Sequence, residues 1–159
     1  MIIFENYHLA VELTSQVENL FKGYIQIDSE MCESGGVLMG KRLKNGNIII
    51  TDVTLPQPED ECSRNFFKKN RIIHQQLSDE IWVNSEKKII CIGEWHTHPE
   101  GIPSPSSVDK ISWIRNVKKQ NDENNYIFII VGINTINAWS CNKSFKITKM
   151  ERIMEIEGL

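Results

Sequence analysis

The chain has 159 residues, 40 % hydrophobic and 25 % charged, as expected of a globular domain able to bury a core. A net charge of −3 gives no reason to expect nucleic acid or an anionic membrane surface as partner. The longest apolar run, Tyr126 to Ile133, is far too short to span a bilayer, and MIIFENYHLA lacks the basic start of a secretory signal. The cysteines, Cys32, Cys62, Cys91 and Cys141, form no CxxC pair. They are expected to be reduced thiols of a cytoplasmic protein, which argues against cysteine-bound zinc.

Leu9, Val11 and Leu13 alternate with polar or small residues and predict a half-buried strand. Ser15-Gln16-Val17-Glu18 fits a capping box. A helical stripe through Leu13, Val17, Leu20, Phe21 and Tyr24 predicts helix over 15–24. After Glu33-Ser34-Gly35-Gly36, Val37–Gly40 reads as a strand. Asn45-Gly46 is a hairpin turn, and Ile48–Val53 is the returning arm. A polar loop over Pro56–Glu61 precedes a predicted long helix, 65–83, marked by Phe66, Ile73, Leu77 and Ile81. Lys88–Ile92 reads as a buried strand continuing toward His98, followed by a stiff loop and a helix over 106–119. Gln120–Asn125 is a polar connector, and Tyr126–Ile133, Ala138–Cys141 and Phe145–Thr148 read as strands. Met150–Leu159 fits either strand or helix. There are no repeats and no linker, so one domain over 1–159 is expected, an α/β sandwich with helices flanking a mixed sheet.

The chemistry gathers in residues 93–109, GEWHTHPEGIPSPSSVD. In a strand, residues i and i+2 share a face, so His96 and His98 point the same way. Ser106 and Asp109 fall three apart on one face of the following helix. Two imidazoles and one carboxylate are the protein ligand set of a catalytic zinc, which keeps its fourth position open. A plainer reading makes Ser106 and Asp109 a capping box, unless Ser104-Pro105 supplies the cap instead. His8 and His74 stand alone and are read as structural. A hydrolytic zinc also needs a base. Glu94 shares strand parity with His96 and His98 and is favoured on geometry. Glu33 precedes a Gly-Gly step that permits close backbone approach.

His96-Thr97-His98-Pro99 followed by Ser106 and Asp109 resembles the H-x-H-x(7)-S-x-x-D pattern of the JAMM metallopeptidases, the JAB/MPN fold. Glu33-Ser34-Gly35-Gly36-Val37-Leu38-Met39-Gly40 is similar to that family's glutamate segment. The resemblance implies a single MPN-type, cytidine-deaminase-like α-β-α sandwich with a mixed curved sheet. It implies one zinc per chain held by His96, His98 and Asp109. It makes Glu33 rather than Glu94 the catalytic base, and Ser106 the donor to the oxyanion. The chain lacks the Asn between histidines and the Ser-Gly after proline that RadC-like relatives carry. Only 50 residues follow Asp109, which leaves no room for the insertions with which deubiquitinating members grip ubiquitin. GEWHTHPE with PSPSSVD resembles the compact bacterial branch, found beside activating- and conjugating-enzyme-like partners. That branch includes the deconjugating peptidases of CBASS anti-phage systems, which release a conjugated nucleotidyltransferase. The implied substrate is the conjugated C-terminal tail of a protein. The alternatives are a peptidase trimming a ubiquitin-like precursor and a non-catalytic zinc-stabilised interaction module.

Overall fold

The structure, a computed structural model, describes residues 1–153. Its first strand, β1 (Ile2–Glu5), has no counterpart in the sequence reading. Ile2 and Phe4 are buried there and pair with β2 (Ala10–Leu13). Helix α1 (Ser15–Lys22) is capped one residue earlier than the capping-box reading placed it. The Thr14 side chain accepts from the Val17 amide, and Val17 and Phe21 are buried. Strands β3 (Gly35–Arg42) and β4 (Ile48–Val53) form the expected hairpin. Gly46 sits at φ +89° in its turn, a conformation that favours glycine.

The predicted helix over 65–83 is corrected at its start. Residues 61–68 form a small hairpin instead, β5 (Glu61–Ser63) with β6 (Phe66–Lys68), and helix α2 (Arg71–Asn84) begins behind an Asn70 cap. Phe66, counted in the helical stripe, is 45 % exposed on β6. An apolar residue at helical spacing is weak evidence where the turn chemistry around it, Ser63-Arg64-Asn65, also fits a hairpin. Strand β7 (Ile90–Thr97), helix α3 (Ser107–Lys118), and strands β8 (Tyr126–Val131) and β9 (Ile136–Cys141) follow as expected. The predicted strand over Phe145–Thr148 is corrected to β10 (Thr148–Lys149). Phe145 lies in a turn with φ +58°. Of the undecided tail, Glu151–Ile153 is a strand, β11. Its remainder, 154–159, lies outside the described residues.

Among the described residues, one nine-stranded sheet runs in the order β10-β9-β8-β7-β3-β4-β2-β1-β11, and only its β2–β4 and β7–β8 pairs are parallel. β10 pairs with β9 at one edge and β11 with β1 at the other, with Met150 alone between them. The segment 148–153 therefore bridges both edges of a strongly curved sheet. Asn6 also reaches across, donating from Nδ2 to Ser140 Oγ at 2.8 Å.

Helices cover both faces. Val17 and Phe21 of α1 pack with Trp95, Leu38, Ile50, Ile127 and Ile129. Trp113 and Val117 of α3 pack on the other side with Phe128, Ile130 and Trp139, and Trp113 stacks on Phe128 at 4.7 Å. All six residues of β8 are buried, as expected of a strand covered on both faces. The sandwich expected from the sequence is therefore present.

A candidate metal centre at the end of β7

Strand β7 lies between β3 and β8 in the middle of the sheet. His96 is paired with Gly35 of β3 and Ile130 of β8. One residue past the strand, the His98 amide donates to Val131 O at 3.1 Å and continues the ladder. The alternation of a strand thus carries His96 and His98 to the same side, with ring centroids 4.8 Å apart. The loop that follows is tied down. Ile133 N donates to Glu100 O, Asn134 N to Gly101 O, and Asn137 Nδ2 to Pro103 O, at 2.7, 3.0 and 3.0 Å.

The loop delivers the chain to α3. Ser106, not Ser104, is its N-cap. Ser106 Oγ accepts from the Asp109 amide at 3.1 Å, and Asp109 Oδ2 accepts from the Ser106 amide at 2.9 Å. The capping-box reading of this pair therefore holds. Yet the same Oδ2 atom lies 3.3 Å from His96 Nε2 and 3.1 Å from His98 Nε2. The cap fixes the carboxylate that faces the imidazoles, so capping and ligation are compatible uses of Asp109.

The two Nε2 atoms are 3.0 Å apart. The three edges of the triangle are thus 3.0, 3.1 and 3.3 Å. Zinc bonds of about 2.0–2.1 Å in a tetrahedron would separate ligand atoms by about 3.3 Å. Facing imidazole nitrogens beside a carboxylate also need a shared proton or cation to sit so close. The donor set therefore fits a zinc ion. Glu100 adds the usual outer contact: its carboxylate lies 2.6 Å from His98 Nδ1, accepting that N–H and leaving Nε2 toward the centre.

Glu33 is 6 % exposed, and its Oε1 is 3.9 Å from His98 Nε2. Donor atoms of Glu33, His96 and His98 also lie within 4.8 Å of one another. Asp109 nevertheless makes the tighter set with both histidines, which leaves Glu33 as the outer carboxylate. Burial pushes the Glu33 carboxyl up to about 7, helped by Asp109 and opposed by His98. Burial also works against a charged His98, but hydrogen bonds to Asp109 and Glu100 outweigh it and raise that imidazole to about 9. For Asp109 burial is again outweighed, here by the hydrogen bonds from His96 and His98, and its carboxyl is held well below the usual range. A field that stabilises positive charge here favours a divalent cation in the same place.

The Gly-Gly step after Glu33 has the close approach expected of it. A Cβ at Gly36 would fall 2.1 Å from Thr54 O. One at Gly35 would fall 2.7 Å from the Phe67 ring and from Trp95 O. Glu94, the acid favoured by strand parity, does lie on the α3 side of β7, but it is occupied. Lys69 Nζ and Asn116 Nδ2 both reach its Oε1, at 2.6 and 2.7 Å. Parity selects a face, not a partner.

One expectation about the cysteines is overturned. Cys32 and Cys62 form a disulfide. They are 30 residues apart in sequence but 5.6 Å apart at Cα, because Glu33 N donates to Ser63 O at 2.8 Å and draws β5 alongside the glutamate segment. The β5–β6 hairpin, whose second strand falls within the stretch expected to be helical, is what brings them together. Cys91 and Cys141 are free thiols, as expected. His74, read as structural, is buried between Asp60 (3.0 Å) and Thr54 Oγ1 (2.7 Å), and His8 is exposed.

Residues 28–142 match the family described as prokaryotic homologs of the JAB domain. The chain belongs to that JAB family. The match takes in Glu33 as well as the 93–109 stretch. A CD-NTase/cGAS isopeptidase of Vibrio cholerae serotype O1 (strain ATCC 39315 / El Tor Inaba N16961) is 32 % identical over 142 residues, 89 % of this chain and 83 % of that protein. Proteins of the same name from Pseudomonas aeruginosa (strain BWHPSA011 / Pa011) and Escherichia coli (strain TW11681) are 33 % and 32 % identical. They share 73 % and 74 % of both chains respectively. The solution structure of DSY2949 from Desulfitobacterium hafniense shares the fold, with a TM-score of 0.59, 17 % identity, and coverage of 90 % of this chain and 89 % of that one.

Several residues of this JAB-family centre escaped the sequence reading. Glu100 was seen only as part of a stiff loop, although its place two residues after His98 was a usable signal. Gln26 and Thr97 carry no signal of spacing at all.

Proposed function

We propose that this chain is a zinc-dependent isopeptidase of the JAMM type. It would hydrolyse the amide that joins the C-terminus of one protein to an amine of another. The observation that carries the reading is the triangle of His96 Nε2, His98 Nε2 and Asp109 Oδ2, with buried Glu33 at its edge. His96, His98 and Asp109 would hold the ion. A bound zinc supplies Lewis acidity and lowers the pKa of water to about 7. Glu33, poised near neutrality by burial, is matched to taking the proton from the attacking water and passing it to the leaving amine. Ser106 Oγ spends a lone pair on the Asp109 amide, and its O–H remains available as a donor to the oxyanion. Residues 99–105, held by Asn137 and stiffened by Pro99, Pro103 and Pro105, would form one wall of the cleft.

The relatives' shared name supports a CD-NTase conjugate as substrate, and we place the activity within a CBASS anti-phage system. Among the described residues no helix is long and apolar enough to cross a membrane. An extended tail would dock by adding a strand to an exposed edge. The β5–β6 hairpin offers edges beside the site, where Phe67 lies against Gly35, the partner of His96.

The test uses a fusion of a CD-NTase C-terminus to a reporter protein. With enzyme and zinc, mass spectrometry should place the cut at the junction. Elemental analysis should give about one zinc, lost in His96→Ala, His98→Ala and Asp109→Ala. Full zinc in all three variants, or an uncut fusion with loaded enzyme, would remove the assignment.

A further inference from the structure

Glu33 lies two residues before β3 and has no strand register of its own. Something else must fix its distance to His98. The neighbourhood holds two buried polar side chains that no ligand or base role accounts for, Gln26 at 1 % exposure and Thr97 at 0 %. They touch each other: Thr97 Oγ1 donates to Gln26 Oε1 at 2.8 Å.

Their remaining atoms reach the chain on either side of Glu33. Gln26 Nε2 donates to Met31 O at 3.3 Å and to Arg64 O at 3.0 Å. Thr97 Oγ1 accepts from the Ser34 amide at 2.9 Å, and the Thr97 amide donates to Ser34 O at 2.8 Å. The Glu33 amide itself donates to Ser63 O, one residue from the carbonyl that Gln26 holds. Residues 31, 34 and 64 are thereby fastened to one buried amide–hydroxyl pair. Thr97 also stands between His96 and His98, so one residue ties the imidazole strand to the glutamate segment. Each hydrogen-bonding group of the pair is used, which is the condition under which a buried polar network fixes one geometry.

We infer that Gln26 and Thr97 are positioning residues that set the reach of Glu33 to the centre. The inference rests on the reading of Glu33 as the base. A residue that acts by placement should be felt in turnover, since a misplacement of about 1 Å costs on the order of 10²-fold. It should not be felt in zinc content or in KM.

The experiment compares Thr97→Val, Thr97→Ser and Gln26→Met in the full chain. Two readouts are taken: steady-state kinetics on the fusion with zinc measured in each sample, and deuterium uptake over residues 31–36. Thr97→Val and Gln26→Met should each lower kcat about 10–10²-fold at unchanged zinc and KM, and speed exchange at Glu33 and Ser34. Thr97→Ser, which keeps the hydroxyl, should restore both. The double variant should be no worse than the poorer single one, because both break one network. Wild-type turnover in the two disruptive variants would overturn the inference. So would losses that Thr97→Ser fails to rescue, or a fall in kcat matched by a fall in folded protein or zinc. Exchange is read without any reaction. An inactive wild type with the expected exchange pattern would therefore count against the isopeptidase reading and leave the brace standing, whereas unchanged exchange would overturn the brace itself.

Discussion

Replacing Glu33 with glutamine is expected to abolish activity and, in chelator-treated protein, to stabilise the fold. The stabilisation should grow with pH. Burial raises the Glu33 carboxyl from 4.5 to about 7. The unfolded chain releases this proton near its ordinary value and the folded chain releases it later. Between the two the folded state binds more protons, so stability falls as pH rises. The cost is absent below the unfolded value and complete above about 7. At 1.36 kcal/mol per pH unit, that interval corresponds to about 3 kcal/mol. With Glu33 only 6 % exposed, solvent does little to screen it. Glutamine keeps the shape and never ionises. For a domain of this size each kcal/mol moves the melting temperature by about 2–4 °C, so the gain should approach roughly 6–12 °C at about pH 8. Thermal melts of wild type and Glu33→Gln, taken with chelator from about pH 5 to about pH 8, would read the gap directly. A gap that stays constant with pH would refute the reasoning. A variant less stable than wild type at the alkaline end would show that the ionised carboxylate is well satisfied where it lies.

Three further outcomes are expected. Ser106→Ala should lose the cap, ~1 kcal/mol, together with about 10²–10³ in turnover, whereas Ser106→Gly should lose the turnover at a stability cost of only a few tenths; normal turnover in both would leave Ser106 as a cap alone. Glu94→Gln should keep most activity and zinc while weakening the contacts to Lys69 and Asn116 by about 1 kcal/mol, and a loss comparable to that of Glu33→Gln would restore Glu94 as the base. Reducing Cys32–Cys62, which closes a loop of 30 residues, should cost about 3–4 kcal/mol in urea unfolding by chain entropy; an unchanged midpoint with dithiothreitol would show that hydrogen bonds alone hold the hairpin.

The elements that sequence reading located well are those whose pattern is both local and long. Tyr126–Val131 is uniformly apolar because both its faces are covered, and Ile48–Val53 is announced by Asn45-Gly46. The failures share a cause. β1, β10 and β11 have four, two and three residues, too few to show a period. Each exists because of its partner strand: β10 and β11 close the sheet onto β9 and β1. β5–β6 was hidden because Phe66 sat at helical spacing from Ile73.

The site divides the same way. His96, His98 and Asp109 were legible because strand parity and helix spacing act within one short stretch, and the geometry of both elements is fixed by the backbone. The choice between Glu33 and Glu94 was not legible from spacing. Glu94 was on the right face, and the groups that occupy it, Lys69 and Asn116, stand 25 and 22 residues away. The segment around Glu33 is tied through its own amide to Ser63 O, through the Ser34 amide to Thr97 Oγ1 and through Met31 O to Gln26 Nε2. A base must be free as well as near. Freedom from a competing cation depends on the whole packed neighbourhood, so it enters the argument only when the chain is folded.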